Sequence, residues 1–371
     1  MIIKKVQLTN FRNYDYALVD FSGGISLVAG ANAQGKTNLV ESLVLASTAK
    51  SPRTSNLQDL IKDGKQNAFV DVLVQRNFGE VKISFSLNLK GEKKFSVNGN
   101  EVSKLGDIFG NMVVIYFCPN DLEIVSHSPQ ERREFMDTDI SQLSGAYYNL
   151  LQRYNKILAQ RNRLLKMEKN REVLISQLAV WNEQLASCAS LIVKTRKGFI
   201  EKLKVPAKEA MQYISSSKDE LEISYIGAKG QTAEEIKQEI LKGLEYNLER
   251  DIELGYTTIG PHRDDIYFGL NQKDARSFSS QGQQRSIVLA LKLAEVEIFK
   301  NEMGESPTLV LDDVFSELDT TRQRRLYEKM KDFQTIITGT TFRFKPATEY
   351  KQIVIKNGSL AERKKREGQN G

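Results

Sequence analysis

GANAQGKT, residues 30 to 37, stands between an apolar run (Ile25, Leu27, Val28, Ala29) and the helix-like stretch NLVESLVLASTAK that begins at Asn38. The eight residues fit G-x-x-x-x-G-K-[ST]. A strand in front and a helix behind make a phosphate site of what could otherwise be an ordinary glycine turn. In such a loop (Gly30, Ala31, Asn32, Ala33, Gln34, Gly35) backbone N–H groups wrap phosphate oxygens, and the following helix adds the positive end of its dipole. Lys36 would bridge the terminal phosphates of ATP, and Thr37 would offer its hydroxyl to Mg²⁺.

Far along the chain, PTLVLDD at Pro307 to Asp313 completes this reading. Thr308 to Leu311 read as a buried parallel strand that delivers Asp312 to its carboxyl end, where the metal sits. Asp313 is the candidate to orient the attacking water. A third segment, FSSQGQQRSIVLALKLAEVEIF, starts at Phe278 and runs from Ser280, Gln281, Gly282 and Gln283 into an uninterrupted helix. Free N–H groups at a helix start make an anion site, while a serine there also serves as a plain N-cap.

The chain has 371 residues, enough for two or three lobes, and strand and helix patterns alternate near both ends, which predicts a mixed α/β body. No apolar run approaches the ~18 residues of a membrane helix, and no secretory segment is recognisable, so a cytoplasmic protein is expected. Cys118 and Cys188, the two cysteines, read as reduced packing residues, and with only His127 and His262 beside them a zinc site is disfavoured. The net charge of +6 and pI near 9.0 are compatible with nucleic acid without requiring it.

Strands are expected at Ile2 to Leu8, Ile25 to Ala29, Ala68 to Arg76, Val81 to Leu89, Phe95 to Val97 and Val113 to Phe117, with a hairpin turn at Asn98-Gly99. Beyond Pro119 the texture becomes helical. Leu150, Tyr154, Ile157, Leu158 and Leu165 recur at helical spacing. After a polar turn near Lys169 and Asn170 a stripe follows at Leu174, Leu178, Trp181, Leu185, Cys188, Ile192, Thr195 and Phe199, the pattern of a coiled-coil seam. Two such helices make an antiparallel hairpin, each arm roughly 40 Å long at 1.5 Å per residue.

From Gln152 to Lys204 the hairpin carries twelve lysines and arginines against four glutamates, a surplus of eight that reads as a solvated face or as a phosphate-backbone contact. The basic cluster Arg363 to Arg366 reads as a tail. Past Lys218 a strand is expected at Leu221 to Ile226, a helix from Thr232 to about Arg250, and an extended pair around GYTTIGPHRDD and DIYFGLN. Residues 1–118 and 271–371 would then form one ATPase head, and 119–270 an inserted, mainly helical domain with its hairpin at about 147–204.

The order of phosphate loop, long insertion, S-x-G-Q and a strand ending in two aspartates resembles the ATP-binding cassette class of ATPase heads. Ser316 to Asp319 (SELD) resembles the loop after the second acidic residue. NFRNY at Asn10 to Tyr14 resembles the opening of DNA-repair heads such as Rad50, SMC and RecF. PNDLEIVSHSPQERREFMD (Pro119 to Asp137), GYTTIGPHRDD (Gly255 to Asp265) and VLDDVFSELD (Val310 to Asp319) look specifically like the RecF family, and the likeness spans nearly the whole chain.

That resemblance implies an ATP-dependent homodimer in which Ser280, Gly282 and Gln283 cap the nucleotide of the partner subunit. It implies a recombination mediator for gapped DNA and single-strand/double-strand junctions that acts with RecR and RecO, helps load RecA, and serves DNA repair, replication restart and the SOS response. Lys36 and Thr37 carry over as phosphate and metal contacts, Asp312 as metal ligand, Asp313 as the water-orienting carboxylate, and Arg12 as a nucleotide-side contact. Transporter-type cassettes place Glu where Asp313 stands and a switch histidine after the next strand, whereas here Ile336, Ile337 and Thr338 lead to Gly339; slow turnover follows.

GPHRDD reads either as a turn organised by Gly260 and Pro261, with Arg263 and Asp264 paired for structure, or as a DNA or partner contact. Arg132 and Arg133 stand at a helix start after Pro129. A transporter subunit has no use for a basic arm, a Rad50 or SMC protein needs a far longer insertion, and an OLD-type nuclease needs a further domain behind the 58 residues that follow Asp313. An ATP-bound DNA clamp without hydrolysis, or a Rad50-like accessory head, is the alternative.

Overall fold

A computed structural model describes residues 1–168, 170–216, 218–315, 318–340 and 350–361. Ser316 and Glu317 of the SELD loop, Lys169 of the polar turn and the cluster Arg363 to Arg366 lie outside these residues. In chain order the strands and helices are β1 (Ile2–Phe11), β2 (Tyr14–Asp20), β3 (Ile25–Ala29), α1 (Lys36–Thr48), β4 (Asn67–Arg76), β5 (Gly79–Asn88), β6 (Lys93–Val97), β7 (Asn100–Glu101) and β8 (Val114–Phe117). Then come α2 (Glu123–Ser126), α3 (Pro129–Leu143), α4 (Gly145–Met167), α5 (Arg171–Ser215), β9 (Leu221–Ile226), α6 (Ala233–Tyr246), α7 (Leu248–Leu254), β10 (Asp265–Leu270), β11 (Lys273–Asp274), α8 (Ala275–Phe278) and α9 (Gln281–Met303). The chain closes through β12 (Thr308–Asp312), α10 (Thr320–Met330), β13 (Thr335–Gly339), β14 (Tyr350–Lys356) and β15 (Ser359–Leu360).

Two compact units result. One joins Met1–Asn120 to Phe299–Gly371, and the other is Asp121–Ile298, so that the second boundary falls inside α9.

The first unit holds two six-stranded sheets. In one, ordered β15-β14-β3-β13-β12-β8, the five strands from β14 to β8 run parallel and β15 turns back antiparallel. Strands β12 and β13 are buried at every position, the fate of short continuous apolar runs covered on both faces. The other sheet, β2-β1-β4-β5-β6-β7, is antiparallel, and β4 and β5 alternate buried with more exposed residues as their sequence alternates apolar with polar.

Helix α1 packs against strands of both sheets, which explains why it is buried nearly all round. Three of its hydroxyls are satisfied on backbone: Ser42 donates to Leu39 O (2.6 Å), Ser47 to Met112 O (3.1 Å) and Thr48 to Val44 O (2.8 Å).

Gln334, just ahead of β13, staples the two sheets together. Its side-chain oxygen accepts from Ile3 N and Thr308 Oγ1 (both 2.8 Å), and its amide donates to Ile3 O (2.8 Å) and Ser22 O (2.7 Å). A Gln334→Leu variant strands these buried groups, and urea unfolding is expected to show a loss of about 2–4 kcal/mol. A midpoint equal to that of the wild type would contradict this role.

In the second unit, α4 and α5 pair antiparallel, with Leu165, Leu174 and Leu178 in contact near the turn. The expected seam is not that of a two-stranded coil. Helix α5 also packs on α6 and β9, so its buried face is wider: Ala189, Val193 and Arg196 lie inside, while Thr195 is exposed and bonds its own helix at Leu191 O. It also runs past residue 204 to Ser215. Pro206 inside the helix costs one hydrogen bond, about 3 kcal/mol in isolation, offset by burial of Leu203, Ala207, Ala210, Met211 and Ile214 around it.

The helix expected from Thr232 to Arg250 is two helices, broken at Asn247, with Thr232 and Glu235 forming a capping box at its start. Of the expected extended pair only DIYFGL is a strand; β10 pairs with β9 instead, and GYTTIGPHRD is a loop with one 3-10 turn at Pro261–Arg263. Neither Cys118 nor Cys188 is in a disulfide. Among the described residues no helix is long and apolar enough to cross a membrane.

Candidate functional site

The parallel strands β3, β12 and β13 end side by side, with Ala29 opposite Gly339 and Asp312 opposite Thr338. The loop from Gly30 to Gly35 leaves β3 there and enters α1 at Lys36. Ala33 and Gly35 take positive φ (62° and 116°), which curls the loop. A Cβ at Gly35 would lie 2.8 Å from the Asn13 amide, so both conformation and space demand glycine. Lys36 is 4% exposed, and its ammonium folds over the loop to donate to Gly30 O (3.0 Å) and Ala31 O (3.1 Å).

Thr37, on the first turn of α1, donates to Asp312 Oδ1 at 3.2 Å, joining segments 275 residues apart. Two further hydroxyls converge on that carboxylate: Thr338 donates to Oδ1 (2.6 Å) and Tyr116 to Oδ2 (2.9 Å). Thr338 also accepts the backbone N–H of Asp313 (3.0 Å), which holds Asp313 in a left-handed conformation (φ 56°) at the end of β12. A hydroxyl beside a carboxylate is an oxygen-only donor set. It fits a hard divalent cation that keeps water and phosphate in its remaining positions. No group of three or more His, Cys, Asp or Glu suited to a metal occurs among the described residues.

Arg12, expected at the nucleotide, is held at the flank of α1. Its guanidinium grips buried Glu41 through both oxygens (2.6 and 2.9 Å) and donates to Asp59 O (2.9 Å), while Arg53 and Ser51 donate to the same carboxylate.

Ser280, Gly282 and Gln283 belong to the second unit. Ser280 is exposed and caps α9: its hydroxyl accepts from Gln283 N (3.3 Å) and its backbone N–H donates to Gln283 Oε1 (3.1 Å), a reciprocal box of the S-x-x-Q kind. Gln283 also donates to Asp219 Oδ1 (3.1 Å), and a Cβ at Gly282 would meet open space. An exposed serine thus stands at the start of a 23-residue helix, its hydroxyl satisfying one of the first N–H groups.

In the same unit GPHRDD is packed into the hairpin. Tyr154 and His262 Nδ1 share a hydrogen bond (2.5 Å), and His262 Nε2 lies 3.0 Å from Thr257 O. Burial lowers the imidazole to about 4, which keeps it neutral. Asp264 bonds the Tyr225 hydroxyl and is pushed up to about 6 by burial, and Arg263 lies over the Tyr256 ring. Arg132 pairs with Asp265 (2.5 Å), and Arg133 donates to Asp264 O (2.8 Å).

Sequence reasoning missed Tyr116, and it missed Thr338 as a ligand of the acidic pair. It also missed Asn13, Tyr14, Asn357 and Gly358, which touch the phosphate loop. The Asn-Gly dipeptide at 357 was a legible hairpin turn; the others lie in strands or turns whose convergence only the sheet order reveals.

A family model described as the RecF/RecN/SMC N-terminal domain matches residues 2–358. The DNA replication and repair protein RecF of Alkaliphilus oremlandii (strain OhILAs) is 43% identical over 344 residues, covering 92% of this chain and 93% of that one. RecF of Clostridium novyi (strain NT) is 41% identical over 341 residues, with the same coverage. A solved structure of the recombination mediator protein RecF in the RecFOR pathway, with ATPrS, superposes at a TM-score of 0.89 with 35% identity, covering 96% of this chain and 97% of that one. Its counterpart with ATP gives 0.89 with 34% identity, covering 97% of each. The Smc head domain from Pyrococcus furiosus, at 17% identity and a TM-score of 0.56 over 97% of this chain and 95% of that one, shares the fold alone. The chain belongs to the RecF family of DNA replication and repair proteins, built on the ATPase-head fold of that wider class.

Proposed function

We propose that this protein is an ATP-dependent, DNA-binding recombination mediator of the cytoplasm that dimerises around nucleotide and acts with RecO and RecR to promote RecA loading at gaps and junctions. The observation that carries the reading is the hydrogen bond between Thr37 and Asp312 at the ends of the parallel strands, beside the Lys36 ammonium. Lys36 and the loop N–H groups of residues 30–37 bind the phosphates, and Thr37 and Asp312 hold Mg²⁺, which when bound neutralises phosphate charge. Asp313 orients water on the γ-phosphate side, with its backbone set by Thr338. A short carboxylate and the missing imidazole make turnover slow, the property of a timer that ends the dimer rather than of a motor.

Ser280 and the start of α9 cap the nucleotide of a second copy, because Ser280 is exposed there and a helix N-terminus binds anionic oxygens. DNA phosphates are met on α4. Arg153, Lys156, Arg163 and Lys166 are all exposed and recur at helical spacing on one stripe, whereas Arg161 and Arg196, counted in the basic surplus, are buried in ion pairs.

Sedimentation with ATP and gapped DNA tests the trans cap. Ser280→Arg should still bind ATP but weaken the dimer about tenfold or more, since a bulky cation displaces the cap. Asp313→Asn should remain dimeric on DNA long after wild type has dissociated. Wild-type dimerisation by Ser280→Arg removes the trans assignment, and unchanged lifetime for Asp313→Asn favours a clamp that never hydrolyses.

A further inference from the structure

Three hydrogen bonds in series end on the phosphate loop, and their direction can be read from chemistry. Arg53 can only donate, and its Nη1 lies 2.7 Å from Asn38 Oδ1. The Asn38 amide nitrogen is thereby turned toward Asn13 Oδ1 (2.8 Å), which in turn leaves the Asn13 amide nitrogen to donate to Gln34 O (3.0 Å). A second donor reaches the same carbonyl from the β14–β15 turn: Gly358 N, at 3.0 Å. Next along the loop, Tyr14 donates its hydroxyl to Gly35 O (2.8 Å) from a fully buried ring. The turn is tied on by Asn357 N, which donates to Gln34 Oε1 (2.7 Å).

We propose that Asn13, Tyr14 and Gly358, aimed by Arg53 and Asn38, form a brace that presets the phosphate loop by fixing its carbonyls, so that nucleotide affinity depends on residues that never touch nucleotide. The physical link is peptide planarity. In a trans peptide the carbonyl and the N–H of the same unit point in opposite directions. Holding Gln34 O and Gly35 O on the brace side therefore aims Gly35 N–H and Lys36 N–H the other way, into the concavity where phosphate oxygens would sit. Gly35 O also accepts the first bond of α1, from Leu39 N (2.9 Å), so the brace alone sets the Gln34–Gly35 unit and reinforces the next; a loop free to rotate the former would spend part of its time with that carbonyl inward, repelling an anion.

The fit leaves little room. Gly358 has φ +66°, and a Cβ there would approach Asn13 O to 2.4 Å, so any side chain pushes the turn off the loop. The Tyr14 hydroxyl is raised by burial and stays a neutral donor at physiological pH.

This inference rests on the nucleotide-site reading above, and Lys36→Ala separates the two. Titration with a fluorescent ATP analogue should show Tyr14→Phe and Asn13→Ala each weakened about five- to tenfold, the worth of one hydrogen bond on a buried carbonyl, and Gly358→Ala weakened at least as much. Because Asn38 acts through Asn13, the double variant Asn13→Ala/Asn38→Ala should bind no worse than Asn13→Ala alone, a result that a general loss of stability would not produce. Tyr14→Phe keeps its ring in the core and decides the matter if Gly358→Ala misfolds. If Lys36→Ala loses ATP while Tyr14→Phe and Asn13→Ala bind within twofold of wild type, the brace is wrong and the phosphate site stands. Additive losses in the double variant overturn the relay through Asn38. Wild-type affinity in Lys36→Ala overturns the phosphate site, and the brace with it.

Discussion

A Lys36→Ala variant is expected to bind ATP at least about a hundredfold more weakly than wild type and to lose every nucleotide-dependent association with a second copy. Charge-assisted hydrogen bonds are worth about 1.5–3 kcal/mol each, and an ammonium at this position can make two of them to phosphate oxygens. Together they amount to about 3–6 kcal/mol, or two to four orders of magnitude in affinity. The ammonium is already in place: two loop carbonyls hold it at 3.0 and 3.1 Å, so little side-chain freedom remains to be lost on binding. Calorimetric titration with ATP and Mg²⁺ measures the loss, and ATP affinity within threefold of wild type would remove the lysine from the site.

How much of this was legible in the chain depends on whether a feature is local. The phosphate loop could be read because strand, glycine turn and helix are contiguous, and β12 could be read because three apolar residues, Leu309 to Leu311, run straight into two aspartates. Strand β2 escaped because Tyr14, Ala17 and Val19 are buried while Tyr16 and Leu18 are apolar and exposed, which blurs the alternation. Thr338 read only as part of a strand that no histidine follows. Its role as a hydrogen-bond hub between Asp312 and Asp313 follows from the parallel register of β12 and β13, which no local pattern encodes.

Charge counting misled for a related reason. Arg161 and Arg196 sit in a basic stretch that reads as solvated surface, yet both are buried with acids from distant segments, Asp251 and Asp137. An arginine whose partner is 90 or 59 residues away cannot be told from a surface one by helical spacing alone.

Arg196→Leu is expected to destabilise the second unit by about 3–5 kcal/mol, because it removes one partner from a buried network and leaves the acids behind. The guanidinium is 2% exposed. It grips Asp137 with Nε (2.9 Å) and Nη2 (2.8 Å), donates from Nη1 to Pro261 O (2.7 Å), and lies 3.9 Å from Asp264. Helix α3, helix α5 and the GPHRDD turn are thereby locked by one side chain. Arg196→Lys should recover only part of the loss, since a single ammonium cannot reproduce a bidentate grip and a third contact at once.

The variant also carries a pH signature. Asp264 is already raised to about 6 by burial, with Arg196 among the charges that hold it down. Without that cation its folded-state pKa rises further. A group whose folded pKa lies above its unfolded value contributes stability below the unfolded pKa and loses it as pH rises through the folded one. Arg196→Leu should therefore lose more stability than wild type between pH 5 and pH 7.5, and urea unfolding at the two pH values measures the difference. A deficit of the same size at both would mean that Asp264 does not feel Arg196. Loss of less than 1 kcal/mol at neutral pH would mean that the hairpin and the GPHRDD turn are held by packing alone.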